Sequence, residues 1–243
     1  MDQRLKEIIE HFEKLKIDLD ESFRFHCNQC GKCCLNREDI LLTARDLFQM
    51  SKFLKMETKD FVKQYCECYI GKSSNVPLIR LMPRGKQKRC PLLLGKRCAV
   101  HKVKPAVCAM FPVGRCLLFT PKDQIKDLTT NDIQYIFNDP CCGDGTETQT
   151  VRAWLVRSGI SCEDGFFLEW QKLLMELGPI LRDVGEKAPK EMLERMYSIS
   201  GAMLYFDYDL EKDFDAQFSL RAKALCNSLR KVVDMRSVLN YGR

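Results

Sequence analysis

Four cysteines within eight residues, Cys27-Asn28-Gln29-Cys30-Gly31-Lys32-Cys33-Cys34, constrain this chain more than any other feature. Cysteines that serve as small core hydrophobes sit where packing puts them and have no reason to crowd in this way. Three of the four recur at three-residue steps and the last follows directly, so a looped backbone can present several thiolates to one centre. Gly31 permits the tight backbone turn that such a loop needs. The segment 27–34 is therefore expected to be a metal-ligand loop without regular structure.

A second, sparser group runs from Cys90-Pro91 through Cys98 and His101 to Cys108, and Phe111-Pro112 follows it. Pro91, Pro105 and Pro112 forbid one long helix there, and loops fixed by prolines can converge on the first group. The candidate ligands are thus Cys27, Cys30, Cys33, Cys34, Cys90, Cys98 and Cys108. His101 is a further candidate, although a lone histidine is more often packed or hydrogen-bonded than ligating. A tetrahedral zinc site usually draws two Cys-x-x-Cys pairs from separate loops, and only one such start is present. Cys-x-x-Cys-x-x-Cys followed by a distant Cys-Pro is the spacing that holds iron–sulfur clusters in ferredoxins, with Cys90-Pro91 as the distant element. The adjacent Cys33 and Cys34 have no counterpart in that pattern. Iron or an iron–sulfur cluster is accordingly favoured over zinc as the cofactor.

At 243 residues the chain can bury a hydrophobic core without covalent help, so its fourteen cysteines need another cause. The charged start Met1-Asp2-Gln3-Arg4-Leu5-Lys6-Glu7 contains no uninterrupted apolar run of a secretory signal, and no stretch approaches the roughly 18 apolar residues of a membrane span. A cytoplasmic location is expected, and with it reduced thiols available as ligands rather than a disulfide scaffold. The formal charge of +6 is spread among mixed signs and makes no case for nucleic acid or a membrane surface. The one dense basic run, Arg84 to Arg89, has no interleaved aromatic residue for base stacking and reads as a solvated loop. A protein partner and the oligomeric state stay open.

Hydrophobic spacing organises the rest. Leu5, Ile8, Ile9, Phe12 and Leu15 predict an amphipathic helix over 2–16. Thr43 and Asp46 form a capping-box pattern ahead of a helix over 43–55, and Thr58 is placed to cap a second helix that ends near Cys66. Val76–Met82, Cys116–Thr120 and Ile133–Phe137 have strand character and predict a small sheet. From Thr148 the pattern is helical, with Gly178-Pro179 as a stop and further helices near 189–199 and 214–233. The expected fold is α+β and mostly helical: a cysteine-rich metal-binding domain over 1–160 carrying the small sheet, and a helical region over 161–243 packed on it.

These motifs together resemble the cysteine-cluster family described as zinc- or iron-chelating and marked by Cys-x-x-Cys-x-x-Cys-Cys. The family's later elements look like Cys90-Pro91, Cys98 with His101, Lys104-Pro105, Cys108 and Phe111-Pro112. Lys104 departs from the family's usual Arg, which weakens a bidentate role but leaves a cation in place. Gly143-Asp144-Gly145 and Thr150 to Leu155 extend the likeness to about residue 160. The resemblance implies a metal-chelating module. Through the same cysteine motif the family also resembles flagellin lysine N-methylases, which gives a protein-lysine methyltransferase as an alternative. A thiol redox sensor is the third reading. Cys66, Cys68, Cys116, Cys141, Cys142 and Cys162 could supply a second metal or a redox pair, with Cys141-Cys142 foremost, whereas Cys226 falls at a core position of a helix. No phosphate loop, nucleophile elbow or His-Glu-x-x-His occurs, so hydrolase and nucleotide-binding readings have no support.

Overall fold

The computed structural model describes residues 10–38, 40–117, 124–140 and 142–240, with side chains throughout except at 187 and 232–240. In chain order the elements are α1 (Phe12–Leu15), β1 (Lys16–Ile17), β2 (Ser22–His26), β3 (Leu41–Leu42), α2 (Ala44–Leu54), α3 (Thr58–Tyr65), β4 (Cys66–Ile70) and β5 (Pro77–Leu81). There follow β6 (Leu93–Leu94), β7 (Arg97–Cys98), α4 (Ala106–Ala109), β8 (Val113–Leu117), β9 (Ile133–Phe137), β10 (Asp144–Thr150), α5 (Val151–Arg157), α6 (Gly165–Lys187), α7 (Lys190–Tyr205) and α8 (Phe214–Asn240). The protein is α+β and mostly helical, with its strands in small sheets. Among the described residues no helix is long and apolar enough to cross a membrane.

Two compact units share the chain, and each is discontinuous in sequence. One comprises the described residues of Met1–Arg37 and Pro83–Leu168, the other those of Glu38–Met82 and Glu169–Arg243. The division expected from sequence was contiguous, at residue 160. In the structure the segment 38–82 groups instead with the C-terminal helices.

The first unit is built on the antiparallel sheet β1-β9-β8 and the ribbon β10-β2. Alternation along β2 buries Phe23 and Phe25, which meet Trp154 of α5 edge-on at 6.2 and 5.6 Å between ring centres. Met110, Val113, Ile133, Tyr135, Val151 and Leu155 complete this core. The Trp154 indole N–H donates to the Met110 carbonyl at 2.7 Å, tying α5 to the turn that follows Cys108. On β8, Arg115 is buried against Asp164 at 2.8 Å and lies 4.0 Å from the Phe167 ring centre, so its charge is paired rather than stranded.

The second unit joins the sheet β3-β5-β4 to helices. α2 begins at Thr43 with a complete capping box: the Thr43 N–H donates to Asp46 Oδ2 at 2.8 Å, and the Asp46 N–H to Thr43 Oγ1 at 3.1 Å. Tyr205 of α7 donates its hydroxyl to the Pro77 carbonyl at 3.3 Å, and Trp170 packs on both Tyr205 and Phe218. Arg221 of α8 donates to carbonyls around the end of α7, those of Ala202, Met203 and Phe206.

Several expectations need correction. Gly178-Pro179 does not stop a helix, because α6 runs through it. Gly178 is there for close approach: a Cβ at this position would stand 2.5 Å from the Ser74 carbonyl oxygen. Thr58 is the first helical residue of α3 and Glu57 its cap, and Cys66 opens a strand. The three predicted strands do not share a sheet, since β5 pairs with β3 and β4 while β8 pairs with β9. The strand expected from Cys116 begins earlier, at Val113, and 118–120 lie outside the described residues. Most of the expected N-terminal helix also lies outside them, α1 being its described part.

Candidate metal centre

Cys27, Cys30, Cys33, Cys34, Cys90, Cys98 and Cys108 all fall in the first unit, although 38–82 separates the two groups in sequence. The backbone brings the groups together. Arg84 and Arg89 pair across a turn, and beyond it the chain runs back along the end of the first loop. Asn36 N–H donates to the Gln87 carbonyl at 3.0 Å and Arg37 N–H to that of Lys88 at 3.4 Å, while Cys90 N–H donates to the Cys34 carbonyl at 2.9 Å. The basic run is thus the hairpin that seats Cys90 beside Cys34.

The loop itself has the expected irregular form, a single 3-10 turn at Lys32–Cys34. Gly31 has φ +75°, and a Cβ there would stand 3.2 Å from the Lys96 carbonyl oxygen and 3.5 Å from Leu93. Glycine is therefore required twice, for the left-handed backbone and for the approach of the hairpin β6–β7 that ends in Cys98. Cys108 lies on α4, held from behind by the Trp154 bond to Met110.

The sulfurs have a distinctive polar environment. Cys30, Cys90 and Cys98 each accept from the backbone N–H two residues on, those of Lys32, Leu92 and Val100. Burial raises the Cys90 and Cys98 thiols in spite of these donors, and raises Cys108 against the opposing charge of Arg37. At Cys30 burial also acts upward, but the N–H groups of Gly143 and Lys32 bring the net shift down. Cys34 donates its S–H to Cys33, which lowers Cys33 and raises Cys34. Lys104 and Arg37 add to the lowering at Cys33.

Cys33 is the junction of the group, since Cys90, Cys98, Cys108 and Cys142 all register its charge. Among the described residues no three His, Cys, Asp or Glu side chains stand as a formed metal site. The donor chemistry nevertheless suits zinc or iron: soft sulfur ligands, backbone dipoles directed at them and two cations against the charge they would carry.

Other expectations sort by position. His101 is exposed and opens the turn His101–Val103, and Lys104 is the residue whose charge reaches Cys33 and Cys98. Cys66 and Cys68 lie on β4 of the other unit, and Cys226 is buried in α8 as its spacing implies. Cys116 and Cys162 are half-buried in the first unit. Cys141 lies outside the described residues. Arg37 was not anticipated. Its position directly after the loop is the only sequence signal for it, and its guanidinium lies over the Phe111 ring at 5.7 Å.

Residues 26–143 match the model of the CxxCxxCC family, described as a "Putative zinc- or iron-chelating domain". The match spans just under half of the chain and falls on the family that its motifs resemble. An uncharacterized protein of Methanocaldococcus jannaschii is 29% identical over 106 residues, covering 41% of this chain and 51% of the relative. The chain therefore spans about half the length of that curated relative. No solved structure matches it.

Proposed function

We propose that this chain is a metal-binding module that takes iron or zinc through thiolates drawn from Cys27, Cys30, Cys33, Cys34, Cys90, Cys98 and Cys108. Iron, alone or in an iron–sulfur cluster, is the preferred metal. The reading is carried by the repeated backbone N–H directed at sulfur at Cys30, Cys90 and Cys98. Such donors favour a thiolate, the form that ligates. The spacing of Cys27, Cys30 and Cys33 with a distant Cys90-Pro91 supports iron. The bound group would cross-link the 27–34 loop to the 90–108 segment and, as iron, supply one-electron chemistry.

Elemental analysis and a visible spectrum of protein purified without oxygen test this. Stoichiometric iron with acid-labile sulfide and a brown colour is the expected result. Stoichiometric zinc in a colourless sample would overturn the preference for iron, and the absence of both metals would overturn the reading. Cys98→Ser should lower the metal content, whereas Cys226→Ser should leave it unchanged.

A further inference from the structure

We propose that the loops around Gly31, Gly85 and Gly95 form a docking surface for an anionic phospholipid bilayer, with Leu94 as the side chain that enters it. The surface makes no use of a metal, so the inference goes beyond the reading above and is tested apart from it. Charge is segregated along the sequence. Residues 68–122 carry twelve Lys and Arg and no Asp or Glu, so the rest of the chain must be net −6 for the total to be +6. The mixed signs of the chain as a whole thus do not extend to this stretch, and a field of one sign acts on a partner where interspersed charges would cancel.

The fold gathers part of this charge at one place in the first unit. Arg84 and Arg89 exchange backbone hydrogen bonds of 2.8 and 2.9 Å across the turn at Gly85, and Asn36 and Arg37 bond to Gln87 and Lys88. Arg89 Nη2 donates to the Leu93 and Gly95 carbonyls at 2.7 and 2.8 Å, on either side of Leu94. The closeness of Gly31 to the Lys96 carbonyl brings the 31–37 loop to the same tip. Lys32, Arg84, Lys86, Lys88, Lys96 and Arg97 are exposed on these three loops. Leu92 and Leu93 are buried, whereas Leu94 is 68% exposed, and Gly95 beside it has φ +60° with open space where a Cβ would stand. The Arg89 guanidinium therefore holds a bare leucine at the end of a tight hairpin, among cations.

Three kinds of polyanion carry the complementary charge, and the shape of the surface selects among them. Nucleic acid is held by aromatic stacking or by a helix or ribbon laid in a groove. The loops 27–37 and 84–97 contain no aromatic residue, and β6 and β7 have two residues each. An acidic protein needs an apolar interface centre that excludes water, and one leucine does not make one. A bilayer needs neither. Lysines and arginines settle at its phosphates, and a single apolar side chain passes into the boundary between headgroups and acyl chains. With one such side chain the attachment is peripheral and reversible.

Co-sedimentation of the full chain, purified without oxygen, with phospholipid vesicles tests the inference. Vesicles of phosphatidylglycerol and phosphatidylcholine in equal parts should carry the chain down, and vesicles of phosphatidylcholine alone should not. Lys96→Gln combined with Arg97→Gln should weaken partition by about 30-fold, and Leu94→Ser by about 10-fold. No sedimentation with the mixed vesicles would overturn the inference, as would binding of Leu94→Ser equal to that of the wild type. Tighter binding of a duplex oligonucleotide or of polyglutamate in the same buffer would overturn the choice of a bilayer. Circular dichroism checks that each variant folds. Should one fail, the wild-type chain decides: potassium chloride should release it from the mixed vesicles, and retention independent of salt would overturn the docking surface.

Discussion

A thiol buried among other thiols resists ionisation, and a metal that replaces its proton must displace that proton into solvent. Burial raises Cys90, Cys98 and Cys108, and the Cys34 proton is held by Cys33. These groups are protonated at neutral pH and release protons when they ligate, so metal affinity must rise with pH. Competition titrations against a chelator of known affinity between about pH 6 and pH 8 should show tighter binding at the higher value. A flat profile would mean that these thiols are not the ligands. Gly143→Ala combines a left-handed backbone with a Cβ inside the Phe25 ring contact, and should lower stability by on the order of 2 to 4 kcal/mol. A thermal melt of the variant checks this, and an unchanged midpoint would show that the ribbon yields easily. The crowding of Cys27 to Cys34 was legible as a ligand loop because its spacing is local, and the structure gives that segment the irregular form expected of it. Cys142 and Arg37 were less so, because their proximity to the loop follows from strand and hairpin pairing that no short window of sequence displays.

Elements follow the same division between local and distant causes. The capping box of α2 was readable from Thr43 and Asp46 alone, since all its hydrogen bonds close within four residues. Thr43→Ala should cost about 1 kcal/mol, measurable by denaturant unfolding, while retaining the helix. The strands β2 and β4 were not anticipated: Ser-Phe-Arg-Phe-His and Cys-Glu-Cys-Tyr-Ile are short, and their pairing partners lie outside any local window. Gly178-Pro179 was misread because proline normally ends a helix, yet α6 continues through Pro179 beside the contact at Ser74. The two residues should respond with opposite signs. Gly178→Ala should destabilise by roughly 1 to 3 kcal/mol through overlap with the Ser74 carbonyl, and Pro179→Ala should stabilise by up to about 3 kcal/mol by restoring a helical hydrogen bond. Thermal unfolding of both variants decides, and destabilisation by both would show that the proline conformation is itself required.

At the scale of the whole molecule, the candidate ligands belong to one unit, whereas buried Leu177, Leu204, Tyr205, Phe218 and Leu225 give the other a core of its own. Thiolate metal sites of this type supply on the order of 10 kcal/mol of folding free energy, so chelation should act unevenly. Hydrogen exchange after chelation should rise in 27–35 and 90–111 and stay unchanged in α7 and α8, and uniform loosening would contradict this. The two-part division at residue 160 came from a change in composition, which reports where helices dominate but not which segments fold together. The interleaving of the two units has a consequence for synthesis. The chain leaves the ribosome with Cys27 to Cys34 first, then the whole of 38–82, and only afterwards Cys90, Cys98, Cys108 and Cys142. The earlier thiols therefore wait, exposed to whatever metal or oxidant is nearby, until the segment from Cys90 to Cys108 has been made. On the metal-binding reading loading is a late event, and translation halted near residue 85 would release a nascent chain with six cysteines, Cys66 and Cys68 among them, and none of Cys90, Cys98 and Cys108.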